Sequence, residues 1–114
     1  MVRRALAVLP LLLLGLACAS PTLPLPPPET PTLGRGADAD HVLLSDPCGG
    51  AAADSVIVII NTNPSVSNAN AVSGTRADGC GSWRAQAYAH TGDVLEITQQ
   101  TGTEVSQTLD VSVP

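Results

Sequence analysis

The side chains able to do covalent, acid–base or metal chemistry are few: three cysteines (Cys18, Cys48, Cys80), two histidines (His41, His90) and ten acidic residues. Asp38, Asp40 and His41 form an Asp-x-Asp-His cluster, and carboxylate with imidazole is a donor set that binds divalent cations. The spacing fits no calcium loop, and solvated linker charge accounts for the same residues, so neither a metal nor any other cofactor is expected. Arg84, Gln86 and Tyr88 alternate along one segment, which puts them on one side of an extended chain. Tyrosine by stacking and the other two by hydrogen bonding can grip a carbohydrate or a peptide; a plain solvated sheet face has the same look. Hydrolysis needs a nucleophile beside a base, or paired carboxylates in a pocket. Neither histidine has a Ser or Cys companion that fits this, and no cysteine stands in a Cys-x-x-Cys spacing or beside a Lys or His that would activate its thiol. The expectation is a protein without catalytic machinery.

The first cysteine has a different context. Arg3 and Arg4 precede an apolar run, Ala5 to Ala17, broken by Pro10 and Gly15, the layout of a signal peptide over residues 1–17. The run is shorter than the about 20 apolar residues that cross a bilayer. The stretch Leu14-Gly15-Leu16-Ala17-Cys18 resembles the lipobox of bacterial lipoproteins, with a small residue before the cysteine and Gly15 where that family most often has Leu. The resemblance implies lipid attachment at Cys18 (diacylglycerol on sulfur, then an acyl chain such as palmitate on the amine) and a membrane partner through that anchor. With Ala19 rather than Asp after the cysteine, the enterobacterial sorting pattern implies the outer membrane. The competing reading is ordinary cleavage at the small-x-small site Ala17-Cys18-Ala19, giving a periplasmic or secreted soluble protein.

Under either reading Cys48 and Cys80 remain as the cysteine pair of the exported part, and an oxidising compartment joins them. Closing a loop of about 33 residues is worth roughly 3 to 4 kcal/mol on the chain-entropy model. Loss of Arg3 and Arg4 leaves three arginines, no lysine and ten acidic residues, more acidic still than the −5 of the whole chain. Such a surface repels phosphate backbones, and with Trp83 and Tyr88 as the only large aromatics there is no stacking platform, so nucleic acid is excluded as a partner. An envelope protein or a glycan is the remaining partner class.

The elements that must position these residues follow from the periodicity. Proline recurs from Pro21 to Pro31, which predicts an extended, solvated spacer, continued by a Gly- and Asp-rich stretch; residues 18–40 read as a disordered tether and 41–114 as the folded domain. Ser55-Val56-Ile57-Val58-Ile59-Ile60 is a continuous β-branched run, predicted to be a central strand covered on both faces. Trp83, Ala85, Ala87 and Ala89 alternate with polar residues, as do Leu95 with Ile97, and Leu109 with Val111 and Val113, each with the period of two of a half-buried strand. Turn chemistry separates them at Ala77-Asp78-Gly79, His90-Thr91-Gly92-Asp93 and Gln100-Thr101-Gly102-Thr103, and no segment shows a helical period. Short strands at regular spacing predict an all-β sandwich. Ala77-Asp78-Gly79, Gly81-Ser82-Trp83-Arg84-Ala85 and Gly92-Asp93-Val94-Leu95-Glu96-Ile97 resemble the second half of bacterial immunoglobulin-like domains, with an A-D-G-S-W-x-A strand followed by G-D-x-L-x-V; carboxypeptidase-regulatory-like β-domains share these features. The resemblance runs from Ser55 to Pro114 and implies a small immunoglobulin-like sandwich serving as a structural or interaction module. Cys80 is inserted in the turn where those domains have none, and an aromatic is missing from the following strand.

Overall fold

The computed structural model describes residues 23–114; the stretch read as a signal peptide, the lipobox-like residues Leu14 to Ala17 and Cys18 lie outside that range. The described chain is a small β-sandwich of eight strands and one helical turn: β1 (Thr32–Arg35), β2 (His41–Asp46), β3 (Val56–Asn61), α1 (Asn68–Ala71), β4 (Val72–Arg76), β5 (Trp83–Tyr88), β6 (Val94–Thr101), β7 (Glu104–Val105) and β8 (Leu109–Ser112). One antiparallel sheet has the order β1-β2-β5. The other runs β4-β3-β6, and the far edge of β6 is shared by β8, opposite Val94 to Ile97, and β7, opposite Gln100 and Thr101.

The core is what alternation dictates. From the first sheet Leu44, Trp83, Ala85 and Ala87 point inward; from the second Ile57, Ile59, Leu95, Ile97 and Val111 meet them, all buried. Alanines on one wall opposite branched residues on the other let two sheets interdigitate at close-packed density without any phenylalanine. The inward set on β5 and β6 is the one the sequence pattern predicts.

Three expectations are corrected. The run at β3 is central, between β4 and β6, but it is covered on one face only: Ile57 and Ile59 are fully buried, whereas Val56 and Ile60 on the opposite face are 36% and 39% exposed. A two-layer sandwich has no third layer to cover that side. The folded part also starts before His41. β1 lies in the stretch read as tether, because Thr32 to Arg35 pairs with Val42 to Ser45. Ahead of it the proline run lies against the sandwich, with Pro28 and Pro31 buried, the Glu29 amide donating to the Gly50 carbonyl (2.8 Å) and Gln99 Nε2 donating to the Pro26 carbonyl (2.7 Å). A polyproline segment has free carbonyls to offer and little conformational entropy to lose, so a few such contacts are enough to dock it. Finally, α1 is one helical turn that buries no residue, too short to leave a period in the sequence.

Two devices, one covalent and one polar, hold the ends of the sandwich. At one end Cys48 and Cys80 form a disulfide, with 4.9 Å between their Cα atoms, and the flanking backbone extends the β2–β5 pairing: the Gly49 amide donates to the Cys80 carbonyl (2.7 Å) and the Ala51 amide to the Gly81 carbonyl (3.0 Å). Gly81 has φ +83, and a Cβ there would run into the Ala51 carbonyl oxygen, so only glycine fits. Next to this clip, Asp46 faces inward opposite Trp83. Burial, with the Glu29 charge adding to it, pushes the Asp46 carboxyl above the usual carboxylate range. At the other end Asp93, buried in the β5–β6 turn, accepts hydrogen bonds from Asn61 Nδ2 (2.9 Å), Asn63 Nδ2 (2.9 Å) and the His90 amide (3.0 Å). These bonds, the Asn61 side chain first, hold its carboxyl below the usual range.

Candidate functional site

The outer face of the three-stranded sheet presents the residues singled out as ligand-binding. Antiparallel register sets Arg84 beside Ser45, Gln86 beside Leu43 and Tyr88 beside His41, and the alternation that buries Trp83, Ala85 and Ala87 turns Arg84 and Gln86 out to solvent with Tyr88 half-buried. The three do share one face, but they are not equally free. Gln86 Oε1 accepts the Ala37 amide (2.9 Å), and there is no room for a Cβ on Gly36, which would meet both the His41 backbone and Gln86 Oε1. Gln86 therefore braces the β1–β2 turn. Arg84 extends from the sheet and makes no ion pair among the described residues.

Tyr88 is the centre of a cluster that no local pattern announces. The His41 and His90 rings meet it edge-on, at centroid distances of 5.7 and 5.2 Å and interplanar angles of 88° and 89°. Each histidine has its own carboxylate: His41 Nδ1 lies 2.7 Å from Asp38 Oδ1, and His90 Nε2 lies 2.8 Å from Asp40 Oδ1. Asp38 Oδ1 also accepts the Asp40 amide (2.9 Å). The His41 bond, with that amide second, holds the Asp38 carboxyl below its usual range. The Asp-x-Asp-His run is thus divided: Asp38 turns to His41, and Asp40 turns to a histidine fifty residues away in sequence. Among the described residues no three His, Cys, Asp or Glu side chains gather where they could hold a metal ion.

Beside the cluster, a groove of about 670 Å³ runs along the free edge of β1. Leu33, Val42 and Val113 give it apolar walls; Arg35, Asp38 and His41 are polar groups at its border. Its geometry arises because β1 ends one sheet while Val113, just past β8, lies at the edge of the other. Leu33 and Val113 are eighty positions apart, and nothing in either segment alone signals that they meet. The arrangement offers a half-buried tyrosine, two imidazoles with carboxylate partners, and a partly apolar cleft, which are the contacts of a binding surface: stacking, directional hydrogen bonds and desolvated area.

Among the described residues no helix is long and apolar enough to cross a membrane. Neither the protein-family models, nor the curated proteins, nor the solved structures with which the chain was compared contain a match to it.

Proposed function

We propose that the chain is a non-catalytic lipoprotein of the bacterial cell envelope, anchored through Cys18, that displays its sandwich as an immunoglobulin-like structural or interaction module. The observation that carries this reading is how the domain uses three of its buried polar side chains. Asn61, Asp93 and Gln99 are directed at the backbone and side chains of neighbouring turns and of the docked proline segment, as in a scaffold that must stay rigid at the end of an anchor. The basic start, apolar run and Cys18 of the N-terminal sequence support the anchor, and the acidic chain suits a solvated display domain.

The address is tested by metabolic labelling with a fatty-acid probe in a bacterial host. The full chain is expected to carry label and to partition with membranes, and the Cys18→Ser chain to lose both; an unlabelled wild type, or label that survives the substitution, refutes the anchor.

A second reading, recognition of a surface glycan or peptide by the face around Arg84, Gln86 and Tyr88, draws support from the enclosure of Tyr88 between two histidines. A preorganised aromatic loses little entropy on binding. On a glycan or peptide array, Tyr88→Ala is expected to weaken any bound ligand by about tenfold or more, the scale of a lost aromatic anchor. Binding indifferent to that change would place the contact elsewhere.

A further inference from the structure

The two outer faces of the sandwich differ in character. On the three-stranded sheet the outward residues are largely polar. On the five-stranded sheet they are not: Val56, Ile60, Val72 and Val105 all stand exposed there, and the only other exposed large hydrophobic among the described residues is Leu23 in the N-terminal segment. Register aligns them in rows. Arg76, Val56, Gln100 and Val105 lie side by side across β4, β3, β6 and β7. Four residues along, Val72, Ile60, Glu96 and Asp110 do the same across β4, β3, β6 and β8. Between the rows lies half-buried Val58, flanked by Gly74 and Thr98. The central strand is therefore apolar on both faces, while the fold of one chain covers only one of them.

The charges on this face are sorted as well. Arg76 stands at the Val56 end. At the Ile60 end Glu96 and Asp110 are direct cross-strand neighbours, a like-charge pair that is unfavourable unless a cation joins it. Among the described residues neither of these two acids nor Arg76 has an ion-pair partner. An in-plane two-fold axis crossing β3 at Val58 turns this face onto itself. It lays Val56 of each copy over Ile60 of the other, sets Val58 against Val58, and brings the row that holds Arg76 over the row that holds Glu96 and Asp110. Arg76 itself lies over Val72, with Glu96 two strands away, so the opposite charges attract across the contact without pairing directly. The same surface thus supplies both halves of the contact, as a closed two-fold interface requires. Sheet-on-sheet stacking of this kind is the packing the domain already uses inside.

We infer that the outer face of the five-stranded sheet is a self-association surface, and that a second copy of this chain supplies the cover that β3 lacks. The apolar area is modest, which implies a weak, reversible dimer with dissociation in the micromolar range. On a membrane, two-dimensional confinement would raise its occupancy.

Sedimentation of the purified full chain over about 5 to 500 µM, a range bracketing micromolar dissociation, is expected to show a monomer–dimer equilibrium. Ile60→Lys puts a charge into each half of the contact, against Val56 of the other copy, and is expected to weaken association about tenfold or more. Arg76→Glu, a change at an exposed position, is expected to weaken it several-fold, and the charge swap Arg76→Glu with Glu96→Arg to restore it. Circular dichroism and an intact disulfide confirm that each variant is folded. A chain that remains monomeric throughout overturns the inference, leaving the face to a different partner. Association unchanged by both Ile60→Lys and Arg76→Glu also overturns it, because the contact then lies elsewhere in the chain.

Discussion

Replacing Cys48 and Cys80 together by serine is expected to lower the stability of the sandwich by about 3 to 4 kcal/mol, the chain-entropy value for a loop of this length. That is a large fraction of the roughly 5 to 10 kcal/mol available to a domain this small. The reason lies in what the bridge encloses. The closed loop contains β3, α1 and β4, the segment that leaves the first sheet after β2, builds the central and edge strands of the second, and returns to start β5. Without the bridge, the unfolded chain gains all the arrangements in which that excursion stays open. The folded state keeps the backbone bonds from Gly49 to Cys80 and from Ala51 to Gly81, so the serine variant is expected to fold to the same sandwich with a lower urea midpoint. Urea titrations of oxidised wild type and double variant, followed by far-UV circular dichroism, measure the difference; coincident midpoints would show that the bridge restrains nothing.

Asp93→Ala is expected to cost about 3 kcal/mol, and the loss should be specific to one end of the molecule. The carboxylate joins the loop after β3, through Asn61 and Asn63, to the β5–β6 turn, through the His90 amide. Charge-assisted bonds of this kind are each worth more than neutral ones, and their removal strands donors that the fold has already desolvated. Because folding lowers the pKa of Asp93, its ionised form contributes stability that is fully present above the unfolded value of about 3.9 and is lost as pH falls through the lower, folded value. Asp46 has the opposite sign. Its pKa is raised by folding, so its protonated form favours the native state below the unfolded value, and that contribution is lost as pH rises through the folded one. Wild type should accordingly lose stability on acidification through the Asp93 window, and Asp93→Asn should flatten that limb, while Asp46→Asn should gain stability relative to wild type at neutral pH. Denaturation midpoints at a series of pH values distinguish these; an acid limb of unchanged slope in Asp93→Asn would remove Asp93 from the account.

How much of this was legible in the chain depends on whether the controlling interaction is local. Alternation at Trp83, Ala85 and Ala87, and at Leu95 and Ile97, identified β5, β6 and their buried faces, because the pleat forces successive side chains to opposite sides whatever the partner strand. The Asp78-Gly79 and Gly92-Asp93 turns were visible for the same reason, since a reversal needs particular backbone angles from a few adjacent residues. β4 was not visible: Val72-Ser73-Gly74-Thr75-Arg76 has weak strand character and becomes a strand because it pairs with β3. β1 was hidden by Gly34 within it, Gly36 after it and the prolines before it, which look like tether until β2 is there to receive them.

The candidate site divides along the same line. That Arg84, Gln86 and Tyr88 share a face was fixed by spacing alone. That Gln86 is committed to Ala37, that Asp40 belongs to His90 and that Tyr88 sits between two histidines was decided by strand register and by turns meeting across fifty residues. By itself the amino-acid order determined the predominantly β character, the inward faces of β5 and β6, and the pairing of Cys48 with Cys80. Only the tertiary structure decided the number of layers, and with it the bare side of β3 and the groove along β1. Periodicity states that a side chain leaves one face of its strand, but whether anything waits there depends on residues distant in sequence.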